Sequence, residues 1–206
     1  MLEQHRLLPQ MPDERPHHSL ARRRSLYAVV LGLLLLLWPL GAGTPSSGAV
    51  ISRKFQIQAA FVFNFTRFVT WPSHRFAGAD SPIIIGVLDD NPFGDELAAI
   101  VKNRKVGARA VEVRMVATAA EAGFVHILYV GAGHEGRMEE MREALRAACV
   151  LTVGESRRFA ELGGIIDFVL DGDKVRFEIN LEAGEDAGLK ISAQLLNLAT
   201  TVRRKS

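Results

Sequence analysis

The sequence has almost no cysteine: Cys149 is the only one in 206 residues. No disulfide can therefore form within one chain, even in a compartment that permits disulfides. Cys149 lies in "LRAACVLTV", between a predicted apolar helix end and a predicted strand, so we expect a buried, unreactive thiol. The alternative is a reactive or intermolecular thiol.

Motifs for catalysis and metal binding are also missing. His134-Glu135 could begin an H-E-x-x-H zinc site, but Met138 stands where the second histidine belongs. Ser156 follows a predicted strand in "TVGESRRF" without the G-x-S-x-G elbow of a nucleophilic serine. We therefore predict no catalytic residues, no metal and no cofactor, and keep a hydrolase acting through Ser156 as an alternative.

Without residues 1–45, the chain has no excess of positive or negative charge. That segment holds five of the 25 lysines and arginines and three of the 23 acidic residues, which leaves twenty of each. Nucleic-acid binding depends on concentrated positive charge that releases counterions from phosphates. The balanced remainder therefore argues against a nucleic-acid partner.

A long apolar run is present only near the N-terminus. Three arginines, Arg22 to Arg24, precede "SLYAVVLGLLLLLWPL", and the small residues "GAGTPSSGA" follow it. This pattern is typical of a secretory signal, and the run of about 15 residues is shorter than the ~20 of a membrane-spanning helix. We expect a leader and signal peptide over residues 1–49, cleaved near residues 43–49, with export to the periplasm. An uncleaved N-terminal anchor is the alternative.

The remaining residues, 50–206, are predicted to form one α/β domain. "KFQIQAAFVFNFTRFVTWP" indicates a helix buried on most sides and ended by Pro72. Strand patterns, "PIIIGVLDD", "AVEVRMV", "FVHILYV" and "VLTVG", alternate with two helix patterns, "NPFGDELAAIV", in which Asn91 is the expected N-cap, and "GRMEEMREALRAA". This alternation predicts a mostly parallel sheet flanked by helices on both faces.

The end of the chain predicts a β-hairpin and a C-terminal helix. "GGIIDFVLDGDKVRFEIN" contains two strand patterns joined across Asp171-Gly172-Asp173, a turn signal of the Asp-Gly kind. "GLKISAQLLNLATTV" then has the period of an amphipathic helix. The residues expected to face the core are Leu189, Ile191, Leu195, Leu196 and Leu198.

The strand "KVRFEIN" supplies the candidate binding surface. Alternation places Val175, Phe177 and Ile179 in the core and puts Arg176, Glu178 and Asn180 on the other face. Arg176 and Glu178 could form a salt bridge, and a guanidinium beside an amide could bind a carboxylate or phosphate. The alternative is a solvated sheet face. With a glycine pair that permits close backbone approach or a bulge, the predicted ligand- or partner-binding residues are Arg67, Trp71, Gly163, Gly164, Arg176, Glu178 and Asn180.

The turn "GAGHEG" matches the dinucleotide pattern G-x-G-x-x-G, and Glu155 lies near the place of a ribose-binding acid. The preceding strand, however, is not the first of the domain, and the following helix begins with acidic residues. We therefore expect a glycine-rich turn that exposes a helix N-terminus, with weak anion binding as the alternative. His126, inside "FVHILYV", is expected to be a satisfied core residue.

Several segments, in order, resemble the YfiR family: "KFQIQAAFVFNFTRFVTWP", "IGVLDDNPFGDEL", "VHILYVG", "VLTVGE" and "GGIIDFVLDGDKVRFEINLEAGEDAGLKISAQLLNLA". The resemblance covers about Phe55 to Ala199. It implies an exported α/β domain without known catalysis. Relatives with a cysteine where Val125 stands use disulfides to tune repression, so that control should be absent here.

The resemblance also implies a function and a partner. The protein would repress a membrane-bound diguanylate cyclase, or a related sensor kinase, by contacting the periplasmic domain of that inner-membrane protein. The alternative is a periplasmic module that binds a small molecule and presents it to a receptor. A small anionic ligand is possible on this view, and so is a homodimer formed through an exposed stripe of the phenylalanine-rich first helix.

Overall fold

The computed structural model describes residues 47–204 of the chain. Most of the predicted leader of residues 1–49, including its apolar run, lies outside this range. Within it, none of the helices has both the length and the apolar character that crossing a membrane requires.

Strands and helices alternate along the chain, as the sequence patterns predict. The strands are β1 (Val69–Thr70), β2 (Ile83–Leu88), β3 (Lys105–Val106), β4 (Arg109–Val116), β5 (Ile127–Val130), β6 (Leu151–Gly154), β7 (Ile166–Asp171), β8 (Lys174–Asn180), β9 (Lys190–Ile191) and β10 (Thr201–Arg203). The helices are α1 (Ser47–Phe68), α2 (Glu96–Val101), α3 (Ala119–Ala122), α4 (Glu135–Ala147), α5 (Arg157–Glu161), α6 (Leu181–Asp186) and α7 (Ala193–Leu198), with a 3-10 turn at Ser73–Arg75.

The main sheet has the strand order β10-β8-β7-β6-β5-β2-β4-β3, and β1 and β9 form a separate antiparallel pair. The five central strands β4, β2, β5, β6 and β7 are parallel, whereas β8 returns antiparallel to β7 and β3 antiparallel to β4. The prediction of a mostly parallel α/β sheet that ends in a hairpin and a C-terminal helix is confirmed.

Apolar side chains cover both faces of the sheet at its central strands. Residues of α1, α2 and α7 pack over one face in the larger core cluster. Residues of α3, α4 and α5, including Met138, Leu145 and Phe159, pack over the other face in a second cluster. Strands β2, β5 and β6 are buried along their whole length because both faces are covered.

The first helix is buried, as predicted, and its phenylalanines pack on the hairpin. The Phe61 and Phe65 rings lie with their centroids 5.5 and 5.4 Å from that of Phe177, and about as close to Phe168. The stripe through which we expect a homodimer is only partly open, because Phe55, Phe61 and Phe68 are half-buried against the core. Dimerisation itself stays a prediction.

Two predicted helix boundaries are wrong. The first concerns "NPFGDELAAIV", where the helix begins only at Glu96. Asn91 does not cap it: the Asn91 side chain accepts a hydrogen bond from the Phe93 N–H and donates one to the Gly94 carbonyl. A local turn thus takes the place of the first helical turn, and Gly94 allows it with a φ of 53°.

The second boundary concerns the C-terminal helix, which covers only Ala193–Leu198. The Ser192 side chain caps its N-terminus, and the residues before Ser192 are extended because they pair with β1 as strand β9. Leu195 is buried as predicted, but Leu198 is 61% exposed. The residues after the helix turn back to form β10 beside β8.

Candidate functional site

The closing hairpin has one apolar and one polar face. Val175, Phe177 and Ile179 are buried against α1, so this part of the prediction is confirmed. The opposite face carries the polar side chains of β7 and β8 and is extended by β10, which lies parallel to β8 with Thr201 beside Glu178. We call it the hairpin face, and its residues are Asp167, Arg176, Glu178, Thr201 and Arg203.

Ion pairs on the hairpin face differ from the predicted one. Glu178 Oε2 lies 3.6 Å from Arg203 Nη2, and its other oxygen accepts a hydrogen bond from the Thr201 hydroxyl at 3.2 Å. Arg176 Nε lies 3.9 Å from a carboxylate oxygen of Asp171. The predicted Arg176–Glu178 salt bridge is therefore wrong, because β10 supplies a closer cation for Glu178.

Asp167 is the buried member of the hairpin face. Only 5% of the residue is exposed, and its Oδ1 atom has no hydrogen-bond partner. Burial raises the pKa of its carboxyl group to about 7, against a lowering by the Ser156 backbone N–H. The carboxylates of Glu178 and Glu155 add to the rise of this pKa, and the Arg203 guanidinium opposes it. Asp167 therefore exchanges its proton near neutral pH rather than near pH 4.

Arg176 and Arg203 are the exposed cations of the hairpin face. A guanidinium in a loose, solvated ion pair keeps donors that can bind a carboxylate in a forked geometry. Asn180, at the end of β8, has a different task. Its side-chain oxygen accepts a hydrogen bond from the Ala183 N–H and so caps α6.

Gly164, the second glycine of the predicted pair, packs against a ring. Gly164 is buried, and a Cβ placed there would lie 2.1 Å from the nearest ring atom of Phe159. Gly154 touches the same ring, with a hypothetical Cβ at 2.5 Å. Gly163 has a φ of 87°, which a side chain rarely adopts. Close backbone approach, one of the two expected uses of the pair, is what Gly164 provides.

A cleft of about 360 Å³ lies between α4 and α6. Two of the predicted residues, Gly163 and Asn180, line it. Charged side chains of both signs surround the opening, including Arg142, Arg146 and Asp186. The volume is within the range of small-molecule sites.

The other two predicted residues lie on the α1 side of the sheet. Trp71 is 6% exposed, and its Nε1 donates a hydrogen bond to the His126 carbonyl at 3.1 Å. Arg67 is exposed near the end of α1. The seven predicted residues thus fall into three places: the hairpin face, the cleft region with its glycine pair, and the end of α1.

His126 is a core residue, as predicted, but it is only partly satisfied, because its buried Nε2 has no hydrogen-bond partner. Its Nδ1 accepts a hydrogen bond from the Ile84 N–H at 3.0 Å, and the Phe76 ring stacks on it at 4.7 Å. Burial, followed by the positive charge of Arg75, lowers the pKa of the imidazole to about 4. The ring therefore stays neutral at physiological pH.

The "GAGHEG" turn holds its own carboxylate. Gly133 has a φ of 92°, and its N–H donates a hydrogen bond to Glu135 at the first residue of α4. An anionic ligand at this helix N-terminus would meet that carboxylate. Glu155, the supposed ribose-binding acid, accepts instead from Gln58 and pairs with Lys54, both on α1.

Cys149 is buried, as predicted, with its sulfur 3.9 Å from Nε2 of His74. Across residues 47–204, His, Cys, Asp and Glu side chains nowhere gather in the groups of three or more that hold a metal ion. The Ser156 hydroxyl accepts a hydrogen bond from the Phe159 N–H and so caps α5.

Sequence reasoning missed three members of the hairpin face: Asp167, Thr201 and Arg203. A signal existed for Asp167, since it is the one charged residue within the apolar run "GGIIDFVL". The predicted hairpin also pairs Glu178 with Asp167 across the two strands, as the structure shows. For Arg203 no signal existed, because nothing in "TTVRRKS" distinguishes a strand from a tail.

Comparison with known proteins places the chain in a family. A family model described as YfiR/HmsC-like matches residues 55–200. No curated protein matches. Two similar solved structures are a conserved domain protein from Vibrio cholerae O1 biovar El Tor strain N16961 (14% identity, TM-score 0.48) and an ABC domain from Streptococcus pneumoniae in complex with L-Trp (12% identity, TM-score 0.48). The matches cover 72% and 73% of this chain, which spans 60% of each of those chains. The match over residues 55–200 shows that the chain belongs to the YfiR/HmsC-like family.

Proposed function

We propose that the protein is an exported regulator that represses an inner-membrane diguanylate cyclase, or a related sensor kinase, by binding its periplasmic domain. The observation that carries this proposal is the family match, which spans the described domain from α1 to α7. The secretory signal pattern before residue 50 supports the export that this proposal requires.

The hairpin face is the surface that we assign to the partner. Its two exposed arginines, Arg176 and Arg203, stand on neighbouring strands at one edge of the sheet. Both are held only by long ion pairs, of 3.9 and 3.6 Å, so they can exchange these for carboxylates of a partner at small cost. An acidic patch on the sensor domain is the complement that such a surface fits.

The contacts of Ser156 favour a binding protein over a hydrolase. Its hydroxyl is engaged as a helix cap, and the carboxylate that hydrogen-bonds to it, Glu135, has a lowered pKa and is therefore a weak base. A nucleophilic serine needs a general base within hydrogen-bond reach. A hydrolytic activity that the wild-type protein has and Ser156→Ala lacks would instead support the hydrolase alternative.

Arg176→Ala tests the proposed surface. The side chain is exposed and forms one long ion pair, so the variant should fold like the wild-type protein. We expect its affinity for the periplasmic domain of the partner cyclase or kinase to fall by about tenfold. Isothermal titration calorimetry with the purified periplasmic domain measures this change in affinity.

The matched control is Lys102→Ala, which removes an exposed cation directly after α2. Helix α2 packs over the opposite face of the sheet, so we expect the control to bind like the wild-type protein. Equal affinity of all three proteins would remove Arg176 from the contact surface. Binding absent from the wild-type protein as well would count against the proposed function.

The cleft between α4 and α6 favours a second candidate function, binding of a small solute that is then presented to a receptor. Its volume and its charged opening support this reading. A crystal structure of the protein grown with small carboxylates, with density in the cleft beside Gly163 and Asn180, would favour it over the first.

A further inference from the structure

Strand β4 has one covered and one open edge. Along its inner edge, β2 pairs with all residues from Val111 to Val116. Along its outer edge, β3 pairs only with Arg109 and Ala110. Within residues 47–204 no strand pairs with the outer edge beyond Ala110. Open edges of this kind are templates for pairing with another chain.

The direction of the backbone groups on β4 can be read from its neighbours. The tight turn to β3 pairs Arg109 with Val106, so the backbone groups of Arg109 point away from β2. The Val116 carbonyl points the other way, because it accepts a hydrogen bond from the Asp89 N–H at the end of β2. Alternation then turns the N–H and C=O groups of three residues outward: Val111, Val113 and Met115.

The outer edge of β4 is complementary to itself. In an antiparallel pair with a two-fold axis at Val113, this residue faces its own copy and Val111 faces Met115. These are hydrogen-bonded positions, so all outward groups of the three residues find partners. Glu112 then lies directly opposite Arg114 of the second copy, on the face where both side chains are about half exposed.

Only this register matches the charges. Moving the axis by one residue to Glu112 places Glu112 opposite its own copy, and moving it to Arg114 places Arg114 opposite its own copy. Like charges directly opposite each other destabilise a strand pair. In the register centred on Val113, each arginine instead lies between two glutamates, since Glu112 and Arg114 already pair at 2.8 Å within the strand.

We propose that a second copy of this chain pairs with the outer edge of β4, antiparallel about a two-fold axis at Val113. The two main sheets then form one continuous sheet across the dimer. Met115, which is 51% exposed, gains an apolar neighbour in Val111 of the second copy. This interface is distinct from the first helix and leaves the hairpin face, at the opposite end of the sheet, accessible.

Charge reversal at the two positions tests the register. Glu112→Arg and Arg114→Glu each put like charges opposite one another twice in the dimer, so we expect each to raise the dimer dissociation constant at least about tenfold. The double variant E112R/R114E restores both attractions and should dimerise like the wild-type protein. A mixture of the two single variants should form a heterodimer, because their charges are then complementary.

Sedimentation equilibrium of the purified protein measures these constants, and circular dichroism checks that each variant folds. Glu139→Arg, an exposed position on α4, changes the net charge as Glu112→Arg does and should leave dimerisation unchanged. A wild-type protein that is monomeric up to about 100 µM would overturn the proposal. So would single variants that dimerise as strongly as the wild-type protein, or a double variant that fails to recover.

Discussion

Replacement of Asp167 by asparagine should stabilise the folded protein at pH 8 by about 2–4 kcal/mol. Burial raises the pKa of this carboxyl group from 3.8 to about 7, so the native state disfavours the charged form. Below pH 4 the group is protonated in the folded and in the unfolded chain, and no penalty applies. As pH rises from about 4 to 7, the unfolded chain ionises while the folded chain stays protonated, so the penalty grows over this range and is constant above it.

Urea unfolding of both proteins at pH 4, 6 and 8 measures this difference. The two free energies of unfolding should be similar at pH 4 and should separate as pH rises, because only the wild-type protein carries the titrating group. Asp173→Asn, at an exposed position of the hairpin turn, serves as the control and should follow the wild-type protein at each pH. Parallel curves for Asp167→Asn and the wild-type protein would contradict the burial of the charge.

Replacement of Gly164 by alanine should destabilise the protein by about 3 kcal/mol, because the new methyl group overlaps the Phe159 ring. The ring is fully buried, and Gly154 contacts it as well, so it has little room to move away. Thermal and urea unfolding report the loss. The same substitution should weaken partner binding only through the fraction of folded protein.

Two further variants separate a steric clash from a general intolerance of alanine. Gly136→Ala in α4 adds a methyl group with no atom within 4 Å and should change stability by less than about 1 kcal/mol. In a Phe159→Leu background, which removes the ring, Gly164→Ala should cost far less than in the wild-type protein. A cost that is equal in both backgrounds would show that the ring is not the cause.

The parts of the fold that the sequence predicts well are those where burial leaves a periodic pattern. Strands β2, β5 and β6 stand out as apolar runs because helices cover both of their faces. In β8 the alternation marks one buried and one polar face, and the turn at Gly172 fixes where the chain reverses. These features were sufficient for the α/β architecture.

The parts that could not be predicted depend on contacts between distant segments. Strands β9 and β10 have two and three residues, too few for a pattern, and they are strands only because β1 and β8 lie beside them. The ion pair between Glu178 and Arg203 follows from β10 and was hidden for the same reason. The amide of Asn180 looked available for a ligand because its role as a helix cap depends on where β8 ends.

The two surfaces assigned here lie at opposite ends of one sheet. The hairpin face is built on β7, β8 and β10, whereas the open edge of β4 is at the other end of the strand order. A dimer formed through β4 would therefore carry two hairpin faces, each free to contact one sensor domain. Two-site engagement of this kind increases the apparent affinity for a dimeric receptor.

The most direct test of the proposed repression is the cellular level of cyclic-di-GMP after deletion of the gene. The account predicts that the level rises, and that the full-length chain expressed in trans lowers it again while a chain lacking residues 1–45 does not. The second arm tests whether export is needed for contact with the periplasmic domain. A cyclic-di-GMP level that deletion leaves unchanged, or that the unexported chain restores, would contradict the account.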